Sequence, residues 1–261
     1  MIDQPDSRDA PAADSAWFGD RAVPPEAKQG LVRGVFDNVA RRYDLMNDLM
    51  SAGVHRLWKR SFVEQLRPRP GERFVDVAGG TGDIAFRILE RIGAGDRAGG
   101  VIVCDLTPAM LAVGRDRAID RGLLDAIDWV AGDAERLPLA DMCMDGYTIA
   151  FGLRNVTRID RALGEARRVL KPGGRFFCLE FSRVALPLLD RAYAAYSDAV
   201  LPALGRVVAG DEASYRYLVE SIRRFPAQDL LLARIEAAGF RLARYRNLSG
   251  GIAAIHSAWR I

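Results

Sequence analysis

Apolar positions along this chain switch between two periods, and the switches divide it into segments. From Leu31 to Leu66 they recur every three or four residues: Val35, Phe36 and Val39, then Leu45, Met46, Leu49 and Met50, then Leu57, Trp58 and Phe62. That spacing predicts two or three helices, interrupted at Ser51-Ala52-Gly53. Short apolar runs then alternate with helical patterns, giving strands near 73–78, 101–105, 127–131, 145–150 and 175–181 and helices over 83–92, 108–121 and 158–170. Strands that are apolar throughout and separated by helices predict a parallel sheet covered on both faces. Residues 187–238 return to helical spacing, and 241–247 with 252–260 read as a hairpin about Ser249-Gly250-Gly251.

The pattern thus predicts an α/β fold in a single domain over 31–261. A helical cover occupies 31–70, a cofactor-binding core 71–183, a helical substrate-side segment 184–240 and the hairpin 241–261. Residues 1–16 carry Asp, Ala, Pro and Ser with scarcely a large apolar group, and the extension 1–30 is expected to be disordered or loosely ordered.

Composition narrows the partners. At 261 residues and 49% hydrophobic the chain can bury one substantial core. Its 37 basic and 34 acidic residues nearly balance, with no basic run long enough to track nucleic acid. Cys104, Cys143 and Cys178 are widely spaced and mostly within apolar segments, as core residues in a reducing compartment would be. With His55 and His256 as the only histidines and no C-x-x-C pair, no metal site is expected. No apolar stretch approaches bilayer length and the acidic, proline-bearing start does not read as a signal peptide, so a cytoplasmic location is expected.

The richest chemistry lies in Asp76-Val-Ala-Gly79-Gly80-Thr81-Gly82-Asp83, between a predicted strand and a predicted helix. Glycines there let a ligand approach the backbone where a Cβ would stand, which marks a nucleotide-cofactor site. Gly80 to Ala85 also fits the dinucleotide pattern, with Asp105 about 20 residues on from the loop as a ribose-binding acid. The loop alone therefore leaves NAD and S-adenosylmethionine both open. Carboxylates at each end, Asp76 and Asp83, repel a pyrophosphate and suit a sulfonium and an ammonium. Asp76, Asp105 and Asp133 end or follow successive strands, so they converge on one crevice. Asp105 can hold the ribose hydroxyls, Asp133 an adenine amino group with the Ala134 N–H on a ring nitrogen, and Phe151 can flank the sulfonium or the adenine.

Asp76–Asp83, Asp105, Gly132-Asp133-Ala134 and Lys171-Pro172-Gly173-Gly174 together resemble the class I S-adenosylmethionine-dependent methyltransferases. Two longer stretches, Tyr43 to Trp58 and Arg168 to Ser182, are similar to the signatures of the ubiquinone/menaquinone biosynthesis C-methyltransferases, and Phe151–Val156 and Asp211–Phe225 extend the likeness. The resemblance implies a Rossmann-like, seven-strand sheet whose last strand is antiparallel, and transfer of a methyl group to a ring carbon of a polyprenylated benzoquinol or naphthoquinol. Family cofactor contacts carry over onto Thr81, Asp105, Asp133 and Ala134. Ala150 stands where some members carry serine.

Methylating an aromatic carbon requires a ring hydroxyl to lose its proton, and so a base or a group that stabilises the phenolate. Arg154 and Asn155, just past the fourth strand, are expected to hold that oxygen; Tyr43 and Asp44 are the further catalytic candidates. Asp44 serves as base or as a helix cap, and His55 and His256 as base or as packed residues. The stripe Leu186, Leu188, Leu189, Tyr193, Tyr196, Val200, Leu201 and Leu204 either takes an isoprenoid tail, lies loosely on a membrane surface, or packs on the sheet. A homodimer or a quinone-biosynthesis complex stays open, and the rivals to a methyltransferase are an NAD-dependent oxidoreductase and a non-catalytic scaffold of such a complex.

Overall fold

In register, seven strands lie side by side in the order β5-β4-β3-β6-β7-β9-β8: β3 is Arg73–Val77, β4 Gly100–Asp105, β5 Ile127–Ala131, β6 Met144–Ala150, β7 Leu170–Phe181, β8 Arg241–Leu248 and β9 Ala253–Trp259. The computed structural model describes residues 15–39, 48, 51, 53–93, 99–123, 125–184 and 212–261. β5, β4, β3, β6 and β7 pair in parallel, and β9 runs antiparallel to both β7 and β8, as the resemblance implied.

From β3 the chain moves outward through β4 and β5, then returns to β6 on the other side of β3. That reversal leaves a crevice at the carboxyl ends of β3, β4 and β6, the place where open parallel sheets take ligands. The parallel strands have apolar residues on both sides because both faces are covered. In β7, Phe176 and Cys178 join one core with Val75, Tyr147 and Leu163, while Phe177, Leu179 and Phe181 join the other with Trp58, Phe62 and Ile88.

Helix α2 (His55–Leu66) and α3 (Asp83–Ile92) sit on one face; α4 is Pro108–Asp120, and α5 (Ile159–Val169) and α7 (Gln228–Ala237) lie on the other. The predicted boundaries of α3 and β5 coincide with those found. β7 starts earlier than predicted, because Lys171–Gly174 is not a free turn. It forms an irregularity within the strand, with register shifting between Met144 and Gly146 and the Gly173 N–H donating to the Arg260 carbonyl at 2.7 Å.

The chain is also ordered earlier than expected. Residues 16–23 form a two-stranded ribbon, β1 (Ala16–Phe18) and β2 (Arg21–Val23), and α1 spans Pro25–Val39. Proline opens a helix well because its missing N–H would be unpaired there in any case. The ribbon is held by tertiary contact: Phe18 stacks on Tyr217 at 4.4 Å, and the Arg224 guanidinium lies 3.6 Å from the Trp17 ring centre, both partners on α6 (Glu212–Arg224). Tyr43, Asp44 and the 186–204 stripe lie outside the described residues. No helix among those described is long and apolar enough to cross a membrane.

Gly146 shows how tightly the strands are backed. A Cβ there would stand 2.2 Å from the buried Phe74 ring. Gly146→Ala is expected to cost about 1–3 kcal/mol through overpacking, read as a lower denaturation midpoint; an unchanged midpoint would contradict this packing.

Candidate active site

Parallel register sets Asp76 of β3 beside Val103 of β4 and Thr148 of β6. The Thr148 hydroxyl therefore reaches the Asp76 carboxylate, donating to Oδ1 at 2.8 Å. Oδ2 is buried and has no partner. Burial, more than the neighbouring Asp83 and Asp105, pushes this carboxyl up to about 7, although Thr148 pulls it down. A buried carboxylate with one oxygen unmet is costly unless a ligand completes it.

Beyond β3 the chain turns sharply: Ala78, Gly80 and Gly82 all take positive φ, at 49°, 54° and 81°. A Cβ on Gly79 would fall 2.8 Å from both the Asp76 carbonyl oxygen and its Oδ2. Ala78 and Phe151 (φ 56°) hold left-handed conformations without being glycine, and both border the crevice. Such strain persists where surrounding structure enforces it, often at functional sites.

Asp105 ends β4, where the loop itself fixes it. The Gly80 N–H donates to Oδ2 and the Thr107 N–H to Oδ1, each at 2.8 Å. Each oxygen retains a lone pair for a diol. Burial raises its pKa against those two hydrogen bonds. Asp133 accepts from the Glu135 N–H at 2.9 Å and from Gln29 Nε2, on α1, at 2.7 Å. The Thr81 hydroxyl accepts from Arg117 Nη1 at 3.0 Å.

Together Asp76, Gly79, Gly80, Thr81, Asp105, Asp133, Ala134, Phe151 and Asn155 border one cleft, with about 1000 Å³ of empty space including its open mouth. Gly82 closes the turn behind them, its N–H donating to the Gly79 carbonyl. Ala150, Gln29, Val32 and Phe36 complete the walls.

Two sequence expectations need correction. Asp83 is not a free negative wall: its carboxylate accepts from Lys59 Nζ at 2.8 Å and Arg87 Nε at 2.9 Å. Burial would raise its pKa, but Lys59 and Arg87 outweigh burial and hold it at about 2.

Arg154 does not line the cleft. It is enclosed beneath it, its side chain 0% exposed and paired at 2.8 Å to Glu180, itself 1% exposed. Its Nη1 also donates to the Phe151 carbonyl, and its backbone N–H to Glu180 Oε2 at 3.2 Å. Nε and Nη2 have no partner. The pair fastens the short helical turn Leu153–Asn155 against β7, and that turn presents Asn155 to the cleft. Tyr217 on α6 donates to Asn155 Oδ1 at 2.9 Å. Burial raises the tyrosine pKa, so the hydroxyl keeps its proton and the amide nitrogen of Asn155 is left to face a ligand.

Neither histidine borders the cleft. His55 Nε2 meets Asp48 Oδ1 at 2.9 Å, and burial followed by the nearby Lys59 lowers its pKa despite Asp48. His256 Nε2 meets the Gln228 carbonyl at 3.0 Å inside β9, and burial lowers its pKa too. Gln29, Lys59, Thr148, Glu180 and Tyr217 were missed by the sequence reading. Thr148 stands out in sequence only as a small hydroxyl in the apolar end of its strand, and its place beside Asp76, like the contacts of the others, comes from tertiary pairing.

The donors and acceptors fit S-adenosylmethionine. An unmet buried carboxylate oxygen suits a cationic end, Asp105 suits a ribose diol, and bare loop backbone permits close approach. A pyrophosphate would instead meet Asp76, Asp105 and Asp133 with Lys59 already committed to Asp83.

Known proteins agree with that geometry. The ubiE/COQ5 methyltransferase family matches residues 24–260. The chain is 56% identical over 246 residues to the ubiquinone/menaquinone biosynthesis C-methyltransferase UbiE of Brucella abortus, covering 94% of this chain and 90% of that protein. It is 54% identical over 249 residues to the protein of the same name from Cereibacter sphaeroides, covering 95% and 98%. Among solved structures it resembles a SAM-dependent methyltransferase from Aquifex aeolicus, with a TM-score of 0.57 and 16% identity over 78% of this chain and 89% of that one. It also resembles the [4+2]-cyclase SpnF, with a TM-score of 0.62 and 20% identity over 89% and 96%. At such identities the structural likeness shows the fold alone, and one fold hosts differing chemistries. The family match over residues 24–260 and the 54–56% identity to these relatives decide the matter: the chain belongs to the ubiE/COQ5 methyltransferase family.

Proposed function

We propose that this chain is an S-adenosylmethionine-dependent C-methyltransferase that methylates a ring carbon of a 2-polyprenyl-6-methoxy-1,4-benzoquinol, a demethylmenaquinol, or both. The observation that carries the reading is the unmet, buried Asp76 Oδ2 beneath a glycine loop, with Asp105 beside it. Sequence identity to relatives named for ubiquinone and menaquinone biosynthesis supports the substrate class.

S-adenosylmethionine supplies an electrophilic methyl group on a sulfonium. The chain's task is to align a carbon nucleophile, keep water out, and stabilise the negative oxygen that makes that carbon reactive. Asp76, Gly79, Gly80, Thr81, Asp105, Asp133 and Ala134 would hold the donor, while Phe151 borders the cleft with its ring buried against Phe181 and Trp58 rather than offered as the aromatic wall the sequence suggested. Asn155 is assigned the donor to the phenolate oxygen, its amide oriented by Tyr217. Arg154 and Glu180 act one layer back as positioning residues, and removing either partner would strand a buried charge at about 3–5 kcal/mol. Tyr43 and Asp44 remain catalytic candidates because the segment before the sheet must cover the cofactor, with Asp44 serving as base or as a helix cap. A cytoplasmic enzyme touching the membrane surface loosely would match a lipid substrate.

A labelled-methyl assay with a demethylated quinol tests the activity and the aligning role at once. The parent should transfer the label into the ring. Tyr217→Phe should lower kcat several-fold with cofactor affinity little changed, because it frees Asn155 without touching the donor site. Cofactor binding with no transfer by the parent would indicate a scaffold instead, and parental turnover in the variant would remove the Tyr217–Asn155 pair from catalysis.

Asp76 also makes binding depend on pH. Its folded pKa of about 7 lies above the unfolded carboxylate value of about 3.9. The ligand-free fold therefore favours the protonated carboxyl, a stabilisation present at low pH and lost as pH rises through about 7. A cationic ligand favours the ionised form, so S-adenosylmethionine affinity should rise from about pH 6 to about pH 8. Calorimetric titration should show that rise in the parent and a flatter profile in Asp76→Asn; identical profiles would contradict the assignment.

A further inference from the structure

At the opposite end of the sheet from the cleft lies a second groove, sharing no residue with the first. Its walls come from the end of α2, the segment leading to β3, the start of the regular part of β7, and the edge strand β8 with β9. Five arginines face it: Arg67, Arg69, Arg175, Arg244 and Arg246. Arg244 and Arg246 are two residues apart on β8 and so project to one side of the sheet, the side of Ser257, which pairs with Arg244.

The groove's charge is poorly matched from within. Glu72 takes Arg175, and Glu64 is already held by Arg60 at 2.9 Å. No carboxylate among the described residues forms an ion pair with Arg67, Arg69, Arg244 or Arg246. Two buried donors in the same groove, Gln65 Nε2 and Arg175 Nε, have no acceptor.

Positive charge on an edge strand commonly prevents sheets from joining, which would account for Arg244 and Arg246. It does not account for arginines arriving from α2's end and from β7, nor for buried N–H groups left unmet beside them. A set made almost wholly of donors, with serine hydroxyls of Ser61 and Ser257 at its side, calls for an anion with several acceptor oxygens. Trp259 and Phe177 give it an aromatic floor, with Arg244 lying 5.5 Å from the Trp259 ring centre.

We propose that this groove is a binding site for a phosphate group, recognised bidentately by the guanidinium forks of Arg244 and Arg246 and by the Arg67–Arg69 segment. The phosphate comes either from a soluble phosphate ester or pyrophosphate, or from a phospholipid headgroup. Neither source needs access to the methyl-transfer cleft, so occupancy here is compatible with turnover there.

The full chain would be titrated with inorganic pyrophosphate by calorimetry near physiological salt. In parallel it would be sedimented with phosphatidylcholine vesicles with and without phosphatidylglycerol. Arg244→Ala/Arg246→Ala should weaken the phosphate interaction at least about tenfold, as loss of charged hydrogen bonds requires. The matching lysine variant should recover only part of it, since lysine lacks the planar fork. Unchanged S-adenosylmethionine affinity would show that the variants fold. Arginine-dependent pyrophosphate binding supports a soluble ligand, and arginine-dependent binding to anionic vesicles alone supports a headgroup. No binding of either, or an equal loss on removing the exposed, outlying Arg136 and Arg161, would overturn the proposal.

Discussion

A carboxylate enclosed at the end of β3, with one oxygen satisfied and one not, is the constraint around which the cleft is arranged. Asp76 is held by Thr148 because parallel pairing places the two side by side on neighbouring strands. Gly79, in the turn above it, must then lack a side chain, since a Cβ there would collide with the same carboxylate. Asp105, one strand over, reaches back to the Gly80 N–H and locks that turn from the other side. Two aspartates and one threonine thus shape the loop and leave one buried carboxylate oxygen unmet beneath it. Asp83, at the other end of the turn, adds no free negative charge to it, because Lys59 and Arg87 are paired with its carboxylate.

Around that centre the remaining elements act as clamps. Helix α1 lies across the cleft and binds Asp133 through Gln29, while Lys28 donates to the Val156 carbonyl at 3.0 Å. The β1–β2 ribbon grips α6, and α6 in turn presents Tyr217 to Asn155. Trp58 of α2 ties to Ser249 at the β8–β9 connection through a 2.9 Å hydrogen bond, joining the cover to the β9–β8 edge of the sheet. The order seen at the amino-terminal side of the chain is therefore coupled to the cleft through side chains, not through sheet hydrogen bonds to the core.

The sheet was legible because buried parallel strands leave unbroken apolar runs, and Asp76, Asp105 and Asp133 were legible because they interrupt or end those runs. What escaped the sequence was pairing. A three-residue strand carries no period, so the ribbon at 16–23 could not be distinguished from extension. Arg154 was placed correctly along the chain, just past β6, but its direction depends on Glu180, 26 residues away, and the sequence does not say that the two share a buried pocket. Asp83 likewise reads as free charge in the sequence, whereas in the fold Lys59, 24 residues earlier, lies against it. Local pattern marks where chemistry can sit; long-range contacts decide which side chains face it.

The most direct measurement is a crystal structure of this protein with S-adenosylmethionine bound. The account requires the ribose hydroxyls at Asp105 and the cationic amino-acid end of the donor on the Asp76 side of the glycine loop. A donor found elsewhere, or one whose negatively charged end lies against Asp76, would contradict it.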